Sequence, residues 1–427
     1  MASRVNRRQI VSWSLYDWAN SAFATTVMAG FFPLFFKEYW NAGVDPTVST
    51  LRLGIANSAG SLVVLALAPV LGAVADWGGS RKRFLLFFAA LGVCATAGLY
   101  AVGEGGWAAA AALYATGLVG FAAGNIFYDA LLVGVAGEDR VDLVSALGYA
   151  LGYLGGGLLF AANVAMALYP SWFGLEDSAA GVRASFLTVA LWWAVFGVPL
   201  FLFVPEGGPR RRLSPVGAVV GGFRRLATTF REVRRLKVVI LFLVGYWLYI
   251  DGVDTIIRMA VDYGLALGLS SQALITALLV TQFVGFPAAI AFGWLGQRLG
   301  PKTGIYLALA VYVGVTVWAY FMDSEAEFFG MAVTIGLVQG GVQSLSRSFY
   351  TRIIPPSKAG EFFGFYNMMG KFAAVVGPVA MGWVAVATGE PRNAIFAITV
   401  LLVAGAGCLY LVDEDKGRRE ARVLEGL

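Results

Sequence analysis

The chain has no histidine among its 427 residues. That removes the commonest proton shuttle and the commonest metal ligand. Cysteine is almost absent too. Cys94 and Cys408 both lie in apolar runs, so no disulfide framework is expected. Neither cysteine stands near a charge, and no nucleophile is paired with a base. An enzyme is therefore not expected, nor a metal or cofactor site. No Walker-type phosphate loop occurs, which argues against pumping by ATP. Charge is scarce: Asp, Glu, Lys and Arg make up 13% of residues, against about 25% in a soluble domain.

Apolar residues fill that space, at 59% of the chain and a mean hydropathy of +0.73. A soluble core cannot absorb so much apolar surface; a bilayer can, about 20 residues per span. Backbone groups in hydrocarbon must pair within the segment, so spans are helices or a closed barrel. The apolar runs are too continuous for a barrel's alternation. Twelve spans are predicted, at 10–38, 53–75, 84–103, 107–136, 144–169, 184–204, 238–261, 269–296, 303–322, 328–350, 361–387 and 393–412. The basic start (Arg4, Arg7, Arg8) leads straight into a helix, so no cleaved signal peptide is expected.

Orientation follows from charge. Of 31 Lys and Arg, 24 fall at the two termini and in the even-numbered loops. The positive-inside rule makes that face cytoplasmic, with both ends on it. Basic residues so segregated do not suit a nucleic-acid surface. The expected domains are 1–204 and 238–412, two six-helix bundles, with a basic linker at 205–237 and a cytoplasmic tail at 413–427. In the linker, Ser214–Pro215 reads as a helix start, and Val219, Phe223, Leu226, Phe230 and Val233 recur at helical spacing. An interfacial helix and a plain basic linker are equally good readings.

The halves echo each other. Gly72-Ala-Val-Ala-Asp76 matches Gly293-Trp-Leu-Gly-Gln297, and Gly117-Leu-Val119 matches Gly336-Leu-Val338. Leu15-Tyr16-Asp17 has a looser echo in Leu248-Tyr249-Ile250-Asp251. Three matches in order favour duplication, and two rocking bundles around a shared site is a transporter layout.

The stretch Gly72-x-x-x-Asp76-Trp-Gly-Gly-Ser-Arg81-Lys82-Arg83 resembles the loop 2–3 signature of the major facilitator superfamily. The second copy has Gln297 where the acid would stand. Four further stretches resemble the subfamily named after the autophagy-related vacuolar effluxer, also filed as an "unknown major facilitator" group. They are Tyr16-Asp-Trp-Ala-Asn-Ser-Ala22, Gly148-Tyr-Ala-Leu-Gly-Tyr-Leu-Gly155, Tyr249-Ile-Asp-Gly-Val-Asp254 and Gln343-Ser-Leu-Ser-Arg-Ser348. The resemblance implies an all-α membrane protein of the major facilitator fold. For fungal vacuolar members it implies efflux of neutral amino acids.

Charge inside the spans is the central puzzle, because an ionised side chain in hydrocarbon is costly unless it lines a polar path. Asp17 shares a helix face with Asn20 and Ser21, and Tyr16 or Asn20 is available to hold it. Asp251, Asp254 and Arg258 share one face of span 7; Asp254 and Arg258, four apart, are expected to neutralise each other. Gln339, Gln343 and Arg347 stack at four-residue intervals in span 10, and Asn367 precedes Lys371 by four in span 11. Asp129 and Arg347 each lie eight residues before the end of their helix, at Gly137 and Pro355, in opposite halves and with opposite sign. A cross-half ion pair there would act as a gate strut, alongside Asp76, Arg81 and Arg83. Asp17 or Asp251 is the expected coupling acid. Trp13, Tyr16, Trp18, Tyr246, Trp247, Tyr249 and Tyr366 form an aromatic wall or simply pack. Gly117, Gly120 and Gly124 in span 4, and Gly148, Gly152 and Gly155 to Gly157 in span 5, sit at small-residue spacing that lets helices approach closely.

The expectation is a secondary transporter of a small polar or zwitterionic solute, amino acids included. It works by alternating access with protons or sodium, as a monomer in a bacterial cytoplasmic membrane. A lipid or drug exporter of the same fold and a non-transporting scaffold or receptor are the alternatives.

Overall fold

A computed structural model describes residues 6–78, 80–137, 139–206, 236–266, 270–388, 393 and 395–425. Most of the basic linker, on which one of the two readings placed an interfacial helix, lies outside the described residues, and so does the side chain of Arg258. The helices are α1 (Arg7–Trp40), α2 (Pro46–Gly78), α3 (Arg81–Gly98, with a 3-10 turn to Ala101), α4 (Trp107–Val135), α5 (Val141–Leu168), α6 (Ser178–Phe203), α7 (Lys237–Ala266), α8 (Ser271–Leu299), α9 (Pro301–Phe321), α10 (Glu325–Ile353), α11 (Ala359–Thr388), α12 (Ile395–Tyr410) and α13 (Glu414–Glu425). Among the described residues, α1 to α10 are long and apolar enough to cross a membrane. The 16-residue α12 turns through 65° into α13.

The helix ends show why hydropathy misplaced some boundaries. Helix α6 starts at Ser178 rather than 184, because Asp177 caps it by accepting the Ala180 N–H at 2.7 Å. Arg183, which hydropathy excludes, sits inside α6 and donates to the Tyr100 carbonyl at 2.8 and 3.0 Å. Helix α2 likewise reaches back past Arg52. That side chain stacks over Trp107 at 3.9 Å and donates to Asn41 at 2.6 Å. Charged groups at a membrane boundary extend a helix without being apolar. Helix α1 widens into π-helical turns at Phe23–Phe31 and Phe36–Trp40, on either side of Pro33. A proline without an N–H disturbs the regular ladder in this way.

Two large hydrophobic cores form, beside two small clusters around Ile126 and Tyr153. One core is built from residues between Trp13 and Val204, the other from residues between Leu236 and Val412 with Ala130 added from the first half. Between the halves, α2 packs on α11 and α8 packs on α5. These are the second and fifth helices of each half, exchanged, as a two-fold relation requires. The same relation appears in side chains. Lys82 at the start of α3 donates to the carbonyls of Phe201 and Val204, at 2.8 and 2.7 Å, where α6 ends. Lys302 at the start of α9 donates to Tyr410 and Val412, at 3.1 and 2.8 Å, where α12 ends. A cation on a helix C-terminus satisfies carbonyls that have no partner in the helix.

Candidate functional site

Arg347 is the hub. It lies on α10, 2% exposed, and its guanidinium reaches out of its own half into the other. Nη1 donates to Asp129 Oδ1 on α4 at 3.0 Å, and Nη2 to Asp17 Oδ2 on α1 at 3.4 Å. Nε donates to the Ser145 hydroxyl on α5 at 2.9 Å, and Nη2 to the Ser145 carbonyl at 2.8 Å. A weaker contact joins Nη1 to Asp17 at 3.5 Å. A guanidinium has five N–H donors in a fixed fork, so five contacts use its whole capacity. Three rings enclose it, with their centroids 4.9 Å (Trp13), 5.5 Å (Tyr128) and 4.4 Å (Tyr149) from its central carbon.

The carboxylates are held in turn. Tyr128 donates its hydroxyl to Asp17 Oδ2 at 2.8 Å, and Asn367 on α11 donates to Asp129 Oδ2 at 3.2 Å. Trp13 donates to the Tyr128 carbonyl at 3.0 Å, which fixes that turn of α4. The Ser145 hydroxyl itself donates to the Ser344 carbonyl at 2.8 Å. Helices α1, α4 and α5 of one half and α10 and α11 of the other thus converge on one buried cluster. Its formal charge is one positive against two negative.

The expected residues fall into groups. Asp17, Asp129, Arg347 and Asn367 come together. Asp17 is held by Tyr128 and Arg347, and not by its neighbours: Asn20 donates instead to Asn125 at 2.7 Å, and Tyr16 packs against Tyr128 with centroids 5.1 Å apart. Gln343 accepts from Tyr153 at 3.3 Å, and Gln339 lies half-buried one turn away. Asp251 sits elsewhere, 1% exposed, and ties α7 to α11. Its Oδ1 accepts the Gly377 N–H at 3.0 Å, and the Thr255 hydroxyl at 3.4 Å. Asp254 and Lys371 are half-buried on α7 and α11. The expected Asp254–Arg258 pair lies outside the described side chains.

A second set of contacts between the halves closes the end where α2 finishes and α11 begins. Asp76 at the end of α2 pairs with Arg81 and accepts the N–H of Glu361 at 2.9 Å. That N–H belongs to the first turn of α11, where a carboxylate is favoured. Arg81 also reaches the Pro356 carbonyl at 3.4 Å. Arg83 is exposed on the first turn of α3. On the related side, Gln297 donates to the Asp139 carbonyl at 3.1 Å. The charge missing at Gln297 is supplied by a different pair, Arg352 on α10 with Asp142 on α5. Arg352 also lies 3.7 Å from Glu414 of α13.

Sequence reasoning missed Ser145, Tyr128, Tyr149, Asp142 and Arg352. Tyr128 stands next to Asp129, and Ser145 one turn before Gly148, so both were within reach of a helical-face argument. Arg352 carries no such signal, because its partners are distant in sequence.

The profile of the family described as "Vacuole effluxer Atg22 like" matches residues 54–141 and 135–422. The chain is 38% identical over 410 residues to an uncharacterised MFS-type transporter, YxiO, of Bacillus subtilis (strain 168), covering 96% of this chain and 95% of that one. It is 27% identical over 313 residues to autophagy-related protein 22 of Yarrowia lipolytica, covering 66% of this chain and 52% of the relative. Its fold is similar to that of the human organic anion transporter MFSD10, with a TM-score of 0.70 at 17% identity, over 94% of this chain and 99% of that one. The chain therefore belongs to the Atg22-like vacuole effluxer family of major facilitator transporters.

Proposed function

We propose that the chain moves a small polar or zwitterionic solute, with amino acids the first candidates, by alternating access about the Arg347 cluster. One observation carries this reading: a buried cation whose five donors are spent on groups of the opposite half. Such a contact can exist only while the two bundles are apposed at this level. Parting them leaves Arg347 and two carboxylates in need of new partners. A solute with both an ammonium and a carboxylate offers both signs.

The charge count supports proton coupling. Two carboxylates against one guanidinium leave an excess negative charge in a low-dielectric place, and a proton or a cationic group of the solute offsets it. Asp17 and Asp129 are the carriers: Tyr128 donates to the Asp17 oxygen that faces Arg347, and Asn367 to the Asp129 oxygen that does not. The basic face, with both termini, is assigned to the cytoplasm of a bacterial cell, and a monomer is the working unit. The Asp76, Arg81 and Asp142, Arg352 contacts then close the cytoplasmic side.

The test is flux of a labelled amino-acid mixture into proteoliposomes under an imposed proton gradient. Uptake that depends on the gradient in the native chain and is lost in Arg347→Gln supports the reading. Flux that is equal in both proteins, or absent for every solute, contradicts it.

A further inference from the structure

Helix α13 is placed where a membrane surface would be. Tyr410 and Leu411, where α12 ends, are 76% and 67% exposed. An aromatic and an apolar residue exposed at the end of a span mark the edge of the hydrocarbon. The chain bends there by 65°, so α13 runs away from the span axis, across the closed end.

Its two faces are unlike. The inner face is fitted to the protein. Gly417 and Ala421 are buried, and a Cβ at Gly417 would lie 2.8 Å from Ile353 and 2.9 Å from Val238. Glu425 accepts the Ser357 N–H at 2.9 Å. Glu414 faces both Arg418, its i+4 partner, and Arg352. The outer face exposes Lys416, Arg419, Arg422 and Val423 at i, i+3, i+6 and i+7, with Asp415 at its start. Glu414 and Glu425 are thus turned inward and bonded, while the outward stripe is mainly basic, with Asp415 and an apolar residue in it. That is the pattern of a helix resting on anionic head groups.

The inner face leads to the gate. Arg352 stands between Glu414 of α13 and Asp142 of α5, and Asp142 belongs to the other half. Whatever steadies α13 therefore steadies the carboxylate that positions Arg352 against Asp142. We propose that α13 binds anionic lipid head groups through Lys416 and Arg419, and that this binding tightens the closed end through the Glu414–Arg352–Asp142 chain. The occupant is a lipid surface, because the stripe follows directly on the apolar helix α12, whose exposed Tyr410 and Leu411 mark the level where head groups begin. The proposal rests on the alternating-access reading for the opening that it restrains.

The experiment is hydrogen–deuterium exchange of the full chain in nanodiscs of phosphatidylcholine alone, or with phosphatidylglycerol added. It needs no solute, so its failure is distinguishable from failure of the transport reading. Phosphatidylglycerol is expected to slow exchange several-fold both in α13 and in residues 139–146, at the α4–α5 turn. In Lys416→Gln/Arg419→Gln, both responses disappear while the melting temperature in phosphatidylcholine stays unchanged. In Glu414→Gln, α13 still responds but residues 139–146 do not. Equal exchange in the two lipids overturns the proposal. So does a full response in the double variant, or a response at 139–146 that survives Glu414→Gln.

Discussion

Gly148 on α5 and Asp17 on α1 occupy mutually exclusive space: a Cβ at position 148 would stand 2.5 Å from Asp17 Oδ2 and 3.0 Å from Arg347 Nη2. The glycine is what lets the carboxylate and the guanidinium meet. Gly148→Ala is therefore expected to push Asp17 away from Arg347 and to destabilise the fold by about 1–3 kcal/mol. A control is Gly314→Ala on α9, where a Cβ meets nothing within 4 Å. There the better helix former is expected to be neutral or stabilising, by up to about 1 kcal/mol. Thermal melts of the two purified variants make the comparison.

Removing the cation from the hub should be worse than removing an anion. Arg347→Gln leaves Asp17 and Asp129 buried without their counter-charge, a loss of roughly 3–5 kcal/mol. Asp129→Asn in the same chain removes one of those charges and should recover part of the melting temperature. Arg347→Lys is not expected to recover it, since three donors on a point charge cannot serve the four acceptor groups that the fork reaches. A double-mutant cycle on melting temperature checks all three variants.

Lys82 and Lys302 are 220 positions apart and do the same work in their two halves. Lys82→Met and Lys302→Met should each strand helix-end carbonyls and cost about 1–3 kcal/mol. Because the sites lie in different halves, the losses should add in the double variant. Melting curves of the single and double variants test this; a strongly unequal pair would contradict the two-fold relation.

The closed end depends on Asp76 more than on its counterpart. Asp76 bonds a cation of its own half and, across the halves, a helix N-terminal N–H, while Gln297 makes one neutral contact. Charge-assisted bonds are roughly twice as strong as neutral ones. Asp76→Asn is expected to speed hydrogen exchange at the first turn of α11, and Gln297→Ala to change it less. Equal effects would show that the carboxylate is not what holds this end.

The architecture was legible because the bilayer imposes it. Leu53 to Ala75 or Thr303 to Met322 can be little other than a span once charge is absent for 20 residues. The duplication was legible through Gly72/Gly293 and Gly117/Gly336, positions where a neighbouring helix comes too close for an unhindered Cβ. The site was legible only in part. Asp129 and Arg347 could be matched by depth and sign, and Asp76 with Arg81 by local spacing. Asp17 stood out as costly, but its partners Tyr128 and Arg347 are 111 and 330 positions away. Periodicity says which residues share a face of one helix; it does not say which helix that face will meet. The same limit hid Arg352, which looks like an ordinary basic residue at a helix end until Asp142 and Glu414 are placed beside it.

The Arg347 cluster sets two carboxylates against one guanidinium, and the proposed proton coupling requires it to take up a proton in the cycle. Infrared difference spectroscopy of the membrane-reconstituted protein across a pH step measures this directly, through the carbonyl stretch of a protonated carboxyl group. A pH-dependent band is expected that is lost in Asp17→Asn or in Asp129→Asn, and that changes in Arg347→Gln. A spectrum with no such band, or one unchanged in all three variants, would contradict it.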